Sequence, residues 1–281
     1  MEQQTRIRLA DLKGNWSLVT GASSGIGLEF ARQLAALGTH LVLIARREAA
    51  LQELAGKLQQ EYGIETLIIP ADLSSPADLE TIFSTVKARQ IQPLLVVNNA
   101  GSGCVVDVAN ADRHVMTRMI NLNVRSVTEI SYYYLQEMIR NQRGGMINVA
   151  SIVSFQPVTY MATYAASKAF VLHFTEAIAE EAAKWNLQVM ALCPGTTRTE
   201  FFDSANAGDW LKRFKGMSAG QVVSTALRSF DAGKRVCVPG LKYKLISCVT
   251  RFIPRGYLTR ASKSIFQKSL RSRPEQSTSQ E

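Results

Sequence analysis

The amino-acid sequence of 281 residues predicts an α/β protein with one doubly wound parallel sheet and a basic amphipathic C-terminal extension. Short β-rich apolar runs alternate with longer helical patterns, which is typical of repeated βαβ units. The apolar runs are nearly continuous, as expected for strands covered by helices on both faces. No linker-like composition interrupts residues 12–232, so we predict a single domain there. The extension then covers residues 233–281 and is predicted to be disordered at its end.

The predicted elements follow one another in a regular order. Strands are predicted at residues 17–20, 40–45, 66–70, 94–98, 145–150 and 187–193. The helix after the first strand carries apolar residues at the spacing of one helical face, namely Ile26, Phe30, Leu34 and Leu37. Gly38 is placed to end that helix, and a long helical pattern covers residues 167–185.

Composition excludes several classes of protein. Hydrophobic residues make up 46% and charged residues 20%, a globular balance that excludes a disordered chain. No apolar run approaches the roughly 18 residues that span a bilayer, and the first fifteen residues lack the apolar core of a secretory signal. We therefore predict a cytoplasmic protein. The four cysteines and three histidines lack metal-ligand spacing, so no disulfide framework and no metal site is predicted.

The net charge of +9 is confined to one end of the chain. Residues 1–232 contain 21 basic and 21 acidic residues, whereas residues 233–281 contain 11 basic and 2 acidic ones. Nucleic-acid-binding domains usually carry their basic residues over a face of the fold. Because the surplus here lies in a tail, we do not predict nucleic-acid binding.

A glycine-rich run, TGASSGIG at residues 20–27, joins the first strand to the first helix. Glycines in such a loop allow a tight turn, and backbone N–H groups can then approach a pyrophosphate at the helix N-terminus. We predict that this run binds a dinucleotide through Gly21, Ser23, Ser24, Gly25, Ile26 and Gly27. A Gly/Ser loop without a ligand is the alternative.

The residues after the second strand indicate which dinucleotide binds. A carboxylate there would bind the ribose 2′-hydroxyl of NAD, but this chain has Arg46 and Arg47, with no acid before Glu48. A planar guanidinium suits a 2′-phosphate, so Arg46 favours NADP(H) as the cofactor. The alternative is that both arginines are solvated loop residues.

Lys168 is four positions after Tyr164, so the two side chains would share one face of a helix. A phenol has a pKa of about 10 and exchanges protons poorly at neutral pH unless a cation stabilises the phenolate. The pair is therefore a candidate acid–base unit. By itself the spacing also fits an ordinary surface pair.

Several motifs occur together in a fixed order, and their combination is specific. They are TGASSGIG (20–27), NNAG (98–101), Ser151, YAASK (164–168) and PGTTRT (194–199). On these residues the chain resembles the short-chain dehydrogenase/reductase family, in its single-domain branch, over residues 12–232. The resemblance implies a Rossmann fold and hydride transfer between NADP(H) and a carbonyl or secondary alcohol.

The resemblance also implies catalytic roles. Tyr164 would be the general acid or base, and Lys168 would hold the nicotinamide ribose and depress the pKa of Tyr164. Ser151 would orient the substrate carbonyl. Asn123 would position a water that relays protons to the lysine, with Asn121 as the alternative.

Further cofactor contacts follow from the same resemblance. Asp72 would contact the adenine, and Gly101 and Asn98 would line the floor of the pocket. A structural tie between strands is the alternative for Asn98. The segment that would hold the carboxamide and pyrophosphate contains Pro194, Gly195, Thr197 and Thr199.

The extension contains a stretch at residues 243–254 with apolar residues at helical spacing, flanked and followed by lysines and arginines. Three interpretations stay open: a helix packed over the substrate cleft, a peripheral anchor on an anionic membrane, and a nucleic-acid contact.

We therefore predict an NADP(H)-dependent carbonyl reductase acting on an apolar or lipid-like ketone. A catalytically silent dinucleotide-sensing or scaffold protein is the alternative. The family resemblance further implies a homodimer or homotetramer formed through the helices that contain residues 123–139 and 164–185.

Overall fold

A seven-stranded parallel sheet forms the centre of the molecule in the computed structural model, which describes residues 6–199 and 216–271. The strand order is β3-β2-β1-β4-β5-β6-β9, and each described pairing is parallel. The strands are β1 Trp16–Thr20, β2 His40–Ala45, β3 Thr66–Pro70, β4 Pro93–Asn98, β5 Gly145–Val149, β6 Gln188–Leu192 and β9 Val236–Cys237. Two short strands, β7 Thr197–Arg198 and β8 Met217–Ser218, pair separately. The predicted fold class is confirmed.

Helices connect the strands and cover both faces of the sheet. They are α1 Gly25–Ala36, α2 Glu48–Tyr62, α3 Pro76–Ala88, α4 Arg113–Ile120, α5 Ser126–Arg140, α6 Ala162–Ala183, α7 Ala219–Asp231, α8 Leu241–Val249 and α9 Arg255–Arg271. A π-helical turn, Asn121–Arg125, joins α4 to α5. The helical pattern predicted at residues 167–185 belongs to α6, which begins at Ala162 and, as the spacing of Tyr164 and Lys168 predicts, includes both residues. As predicted, Gly38 follows the end of α1, with φ of +78°.

The core consists of two apolar layers, one on each face of the sheet. Alternate residues of a strand point to opposite faces, so Val19 packs beneath α1, α2 and α7 while Leu18 packs beneath α3, α5 and α6. Both side chains are fully buried. This double coverage is the reason that the strands are apolar at nearly every position.

The order of the strands locates the candidate site. Strand β1 pairs with β2 on one side and with β4 on the other, so the chain changes direction across the sheet between β1 and β4. Ligands of open α/β sheets bind in the crevice at the carboxyl ends of the strands at such a switch point. Here that edge is formed by the residues after Thr20 and Asn98.

The extension first forms a strand at the edge of the sheet and then continues as two helices. Val236 and Cys237 pair with Ala191 and Leu192, so the extension supplies the edge strand β9. No helix in the described part of the chain is long and apolar enough to cross a membrane. The disorder predicted for residues 272–281 concerns a segment outside the described residues.

Candidate active site

A cavity of about 490 Å³ lies at the carboxyl ends of the strands, at the switch point. Of the residues predicted from sequence, those that line it are Gly21, Ser23, Ser24, Gly25, Ile26, Arg46, Asp72, Gly101, Ser151, Tyr164, Lys168, Pro194, Gly195, Thr197 and Thr199. The fold thus brings together five sequence motifs that span about 180 residues of chain. Gly27, Asn98 and Asn123 lie behind the wall.

The glycine loop forms a narrow cradle at one end of the cavity. Gly21 has φ of +64°, and a Cβ atom there would lie 2.8 Å from Asn99 Nδ2. Gly27 leaves even less room, since its Cβ would lie 2.2 Å from the Gly21 carbonyl oxygen. The Ser24 side chain makes no cap hydrogen bond to α1, so the first-turn N–H groups remain for another acceptor. This cradle fits the pyrophosphate of a dinucleotide.

Asn99 fixes the cradle to the sheet. Its Nδ2 donates to the carbonyl oxygens of Thr20 at 2.9 Å and Gly21 at 3.3 Å, and its backbone N–H donates to Thr20 Oγ1 at 2.9 Å. Asn99 also lines the cavity, which the sequence analysis did not foresee.

Asn98 is among the predicted cofactor contacts but is not one of the residues that line the cavity. Its side chain is buried between β4 and β5, where Nδ2 donates to Asn148 Oδ1 at 2.9 Å and to Ser131 Oγ at 3.2 Å. The alternative interpretation, a structural tie between strands, describes this geometry.

The end of the cavity after β2 and β3 is rich in charge. It is lined by Arg46, Arg47 and Asp72. Arg47 Nη2 also donates a hydrogen bond to the backbone carbonyl oxygen of Ser23 at 3.2 Å. Burial alone would raise the pKa of Asp72, but hydrogen bonds from Ser74 and the charges of Arg118 and Arg46 outweigh it and lower the pKa. Asp72 is therefore ionised at neutral pH, in an ion pair with Arg118.

Tyr164 and Ser151 lie together at the other end of the cavity. Ser151 begins a 3₁₀ turn after β5, and its hydroxyl is hydrogen-bonded to the phenol of Tyr164. Burial raises the pKa of Tyr164 to about 12, and the Ser151 hydrogen bond offsets only part of this increase. The phenol is consequently protonated at neutral pH.

Lys168 follows Tyr164 by one turn of α6 and is also buried. Its Nζ donates to the Val149 carbonyl oxygen at 2.8 Å, and burial lowers its pKa to about 8. The family resemblance implies that Lys168 depresses the pKa of Tyr164. In this structure the pKa of Tyr164 is raised instead, because desolvation of the phenolate is the largest effect on it.

Asn123 sits in the π-helical turn between α4 and α5, fully buried. Its amide donates to the Ser102 carbonyl oxygen at 2.8 Å and to Ser167 Oγ at 3.0 Å, and its Oδ1 accepts from the Ser102 N–H at 2.9 Å. A Cβ atom at Gly101 would lie 3.2 Å from Asn123 Oδ1 and 3.1 Å from Lys168 Nζ. The fold therefore brings Asn123 Oδ1 and Lys168 Nζ close to the same glycine.

An apolar cluster borders the cavity beside Tyr164. Phe266, from helix α9, is buried in it and lines the cavity together with Met161. Helix α9 is tied to the loop before Tyr164, since Thr159 Oγ1 donates to the Thr259 carbonyl oxygen at 2.9 Å. The extension is thus packed over the cleft, one of the three interpretations left open by the sequence. Nothing in the sequence pattern singled out Phe266.

The family follows from this fold and site together with a comparison of the sequence with known families. The family model for short chain dehydrogenases matches residues 15–210. The chain belongs to this family, and the resemblance inferred from its motifs is confirmed. It is accordingly an oxidoreductase that acts on hydroxyl or carbonyl groups with a nicotinamide dinucleotide.

Two curated relatives are similar over most of the catalytic domain. The chain is 32% identical to a 7beta-hydroxysteroid dehydrogenase of Collinsella aerofaciens over 193 residues, which are 69% of this chain and 73% of the relative. It is 34% identical to a very-long-chain 3-oxoacyl-CoA reductase of Laccaria bicolor, over 63% of this chain and 53% of that protein.

Solved structures show the same architecture over nearly the whole chain. A short-chain dehydrogenase from Sphingobium yanoikuyae in complex with NADPH has 28% identity and a TM-score of 0.78, over 94% of this chain and 98% of that one. A 7beta-hydroxysteroid dehydrogenase has 25% identity and a TM-score of 0.81, over 91% and 99%.

Proposed function

We propose that the protein is an NADP(H)-dependent reductase of apolar, lipid-like ketones, with Tyr164 as the proton donor. The observation that carries the proposal is one cavity with a glycine cradle at one end and Tyr164, Ser151 and Lys168 at the other. When bound, the dinucleotide supplies the hydride. The chain's own residues supply binding, orientation and the proton.

The residues that would hold the dinucleotide are distributed along the cavity. The cradle of Gly21, Ser23, Ser24, Gly25 and Ile26 would bind the pyrophosphate, with Gly27 leaving room for the loop. Asp72 would contact the adenine, and Lys168 and Tyr164 the nicotinamide ribose. The carboxamide end would be held by Pro194, Gly195, Thr197 and Thr199.

Tyr164 is suited to donate a proton to a carbonyl oxygen. Its pKa of about 12 keeps the phenol protonated at neutral pH, and the neighbouring Ser151 hydroxyl can orient the same oxygen. Proton loss leaves a phenolate in a buried site, where the Lys168 cation one turn away stabilises it. At neutral pH most Lys168 side chains carry that charge, because the pKa is about 8.

Asn123 acts in this proposal as a positioning residue. Its side-chain amide forms two hydrogen bonds with the backbone of Ser102. These hydrogen bonds place the neighbouring Gly101 against Lys168. A second lone pair of Oδ1 is available to the water that the family resemblance assigns to this asparagine.

The preference for NADP(H) rests on the charge beside β2. Arg46 and Arg47 line the cavity there, whereas Glu48 accepts a hydrogen bond from Gln52 on helix α2 at 3.0 Å. Two guanidinium groups suit a 2′-phosphate, which accepts charge-assisted hydrogen bonds. The similarity to a dehydrogenase whose structure contains NADPH points the same way.

The substrate class rests on the apolar wall beside Tyr164. Phe266, Met161 and Val153 border the position where a carbonyl would meet the phenol, so a bulky hydrocarbon skeleton would be desolvated there. Two relatives are a 7beta-hydroxysteroid dehydrogenase and a very-long-chain 3-oxoacyl-CoA reductase. Both are consistent with a large apolar ketone.

The experiment is a screen of ketones with the purified full-length chain, following oxidation of NADPH. We expect turnover of steroid or long-chain ketones and loss of turnover in Tyr164→Phe by about 10²–10⁴-fold, the usual contribution of general acid catalysis. Tight NADPH binding without turnover of any ketone would instead support the dinucleotide-sensing alternative.

We also propose a homo-oligomer, as the family resemblance implies. The two long helices expected to form its contacts carry exposed aromatic side chains, Tyr132 on α5 and Phe170 on α6. Light scattering of the purified chain tests this, and a monomeric mass would contradict it.

A further inference from the structure

Helix α8, the turn after it and the start of α9 expose several large apolar side chains to solvent. The described residues include eleven exposed large apolar side chains, and five of these lie within residues 241–257. They are Leu241, Leu245, Val249, Phe252 and Tyr257. Leu241 and Phe252 are 86% and 88% exposed. The first three repeat every four residues, so they lie along one side of α8. We call this set the α8 face.

The opposite side of α8 is fixed to the domain. A Cβ atom at Gly195 would lie 2.4 Å from the Tyr243 ring, so this ring packs directly on the backbone of a cavity-lining residue. Ser247 and Thr250 are buried on the same side. The exposure of the α8 face is therefore a property of a packed helix, not of a detached one.

Positive charges surround the α8 face. Lys242, Lys244, Arg251 and Arg255 are exposed and interleave with its apolar side chains. None of the four has an ion-pair partner among residues 6–199 and 216–271, and the sequence contains no Asp or Glu between residues 232 and 274. A complementary occupant of this surface would be both apolar and anionic.

Charge decides between the possible occupants. A second copy bound about a two-fold axis would place the same cations against each other while removing them from water, which opposes association. A nucleic acid would neutralise the cations but would leave the leucines and Phe252 without apolar contact. An anionic lipid surface supplies acidic headgroups and an apolar boundary in one plane.

We propose that the α8 face docks the protein on anionic lipid bilayers as a peripheral contact. Its position adds a consequence that rests on the proposed function. Tyr243 packs on Gly195 and Phe266 of α9 lines the cavity, so the docked surface adjoins the cavity. An apolar ketone dissolved in the bilayer would then reach Tyr164 without crossing bulk water.

The test is sedimentation of the full chain with vesicles of phosphatidylcholine plus phosphatidylserine, and with phosphatidylcholine vesicles alone. One double variant, Leu241→Ser with Phe252→Ser, removes apolar contact, and another, Lys242→Gln with Lys244→Gln, removes charge. Each cation near an anionic surface is worth about fivefold in partitioning, so the second variant should bind about 25-fold more weakly. The matched controls are Val108→Ser with Val115→Ser, and Lys87→Gln with Arg89→Gln, which alter exposed residues elsewhere.

We expect the wild-type protein to sediment only with vesicles that contain phosphatidylserine. Both α8-face variants should lose that binding, whereas the controls should keep it. Wild type remaining in the supernatant, or α8-face variants that bind like the controls, would overturn the proposal. A dimer dispersed by the apolar variant, or tighter binding to random duplex DNA than to vesicles, would also overturn it. Reduction of a water-soluble ketone without vesicles is measured in parallel. It should be unchanged in both variants, so failure of docking and failure of the proposed reaction are distinguished.

Discussion

Replacing Gly27 by alanine would place a methyl group where the backbone of the glycine loop already lies. The new Cβ atom would be 2.2 Å from the Gly21 carbonyl oxygen and 2.4 Å from Asn99 Nδ2. Ordinary contacts between carbon and other heavy atoms are about 3.5 Å, so the loop or α1 must move by about 1 Å. Asn99 cannot yield easily, because it is bonded to Thr20 as well.

The expected effects can be separated into stability and binding. Overpacking of this kind costs about 1–3 kcal/mol in the free energy of unfolding. The displaced loop should also bind NADPH at least about tenfold more weakly, a change of about 1.4 kcal/mol. Urea unfolding measures the first quantity, and fluorescence titration with NADPH measures the second.

The chain offers a matched control for the same chemical change. Gly56 lies in α2, is exposed, and a Cβ atom there would meet nothing within 4 Å. Gly56→Ala should therefore stabilise the protein by about 0.5–1 kcal/mol and leave NADPH affinity unchanged. NADPH binding by Gly27→Ala that equals wild type would refute the assignment of the cradle.

Further predictions concern the two ends of the cavity. Tyr164→Phe should lower ketone turnover by about 10²–10⁴-fold. NADPH affinity should fall by about tenfold at most, the worth of one hydrogen bond to the ribose, and equal losses in both would show a structural role instead. Reduction requires a neutral Tyr164 and a cationic Lys168. The rate of ketone reduction should therefore be maintained below pH 8 and fall as pH rises through about 8, the pKa of Lys168. A rate that stays constant up to pH 10 would contradict this. Arg46→Ser should weaken NADPH binding by about tenfold or more without affecting NADH, as measured by paired titrations. Phe266→Ala should raise KM for bulky ketones more than kcat changes, and an unchanged KM would remove Phe266 from the substrate wall.

The parts of the fold that sequence predicts are those set by local pattern. Apolar runs located the central strands, and the glycines of residues 20–27 located the loop between β1 and α1. Tyr164 and Lys168 could be placed on one helix face from their spacing alone. The start of α6 could not be placed, since its N-cap residue, Met161, provides no side-chain cap and hence no sequence signal.

The parts that sequence does not predict depend on distant contacts and on burial. Phe266 reaches Tyr164 from a helix about 100 residues further along the chain, and no local pattern encodes that approach. Residue type alone could not tell Asn98 from Asn99, because the role of Asn98 depends on its hydrogen bond to Asn148 on the neighbouring strand. The expectation that Lys168 lowers the pKa of Tyr164 took account of charge but not of burial. Desolvation by burial is the largest influence on the pKa of both groups.

The most direct test of the proposed function follows a deuterium label from the nicotinamide of NADPH into an apolar ketone. With the full-length chain, we expect the product alcohol to carry the label on its carbinol carbon. Tyr164→Phe, folded and able to bind NADPH, should form almost no labelled alcohol. Label that stays on the dinucleotide throughout a panel of steroid and long-chain ketones, despite tight NADPH binding, would contradict the account.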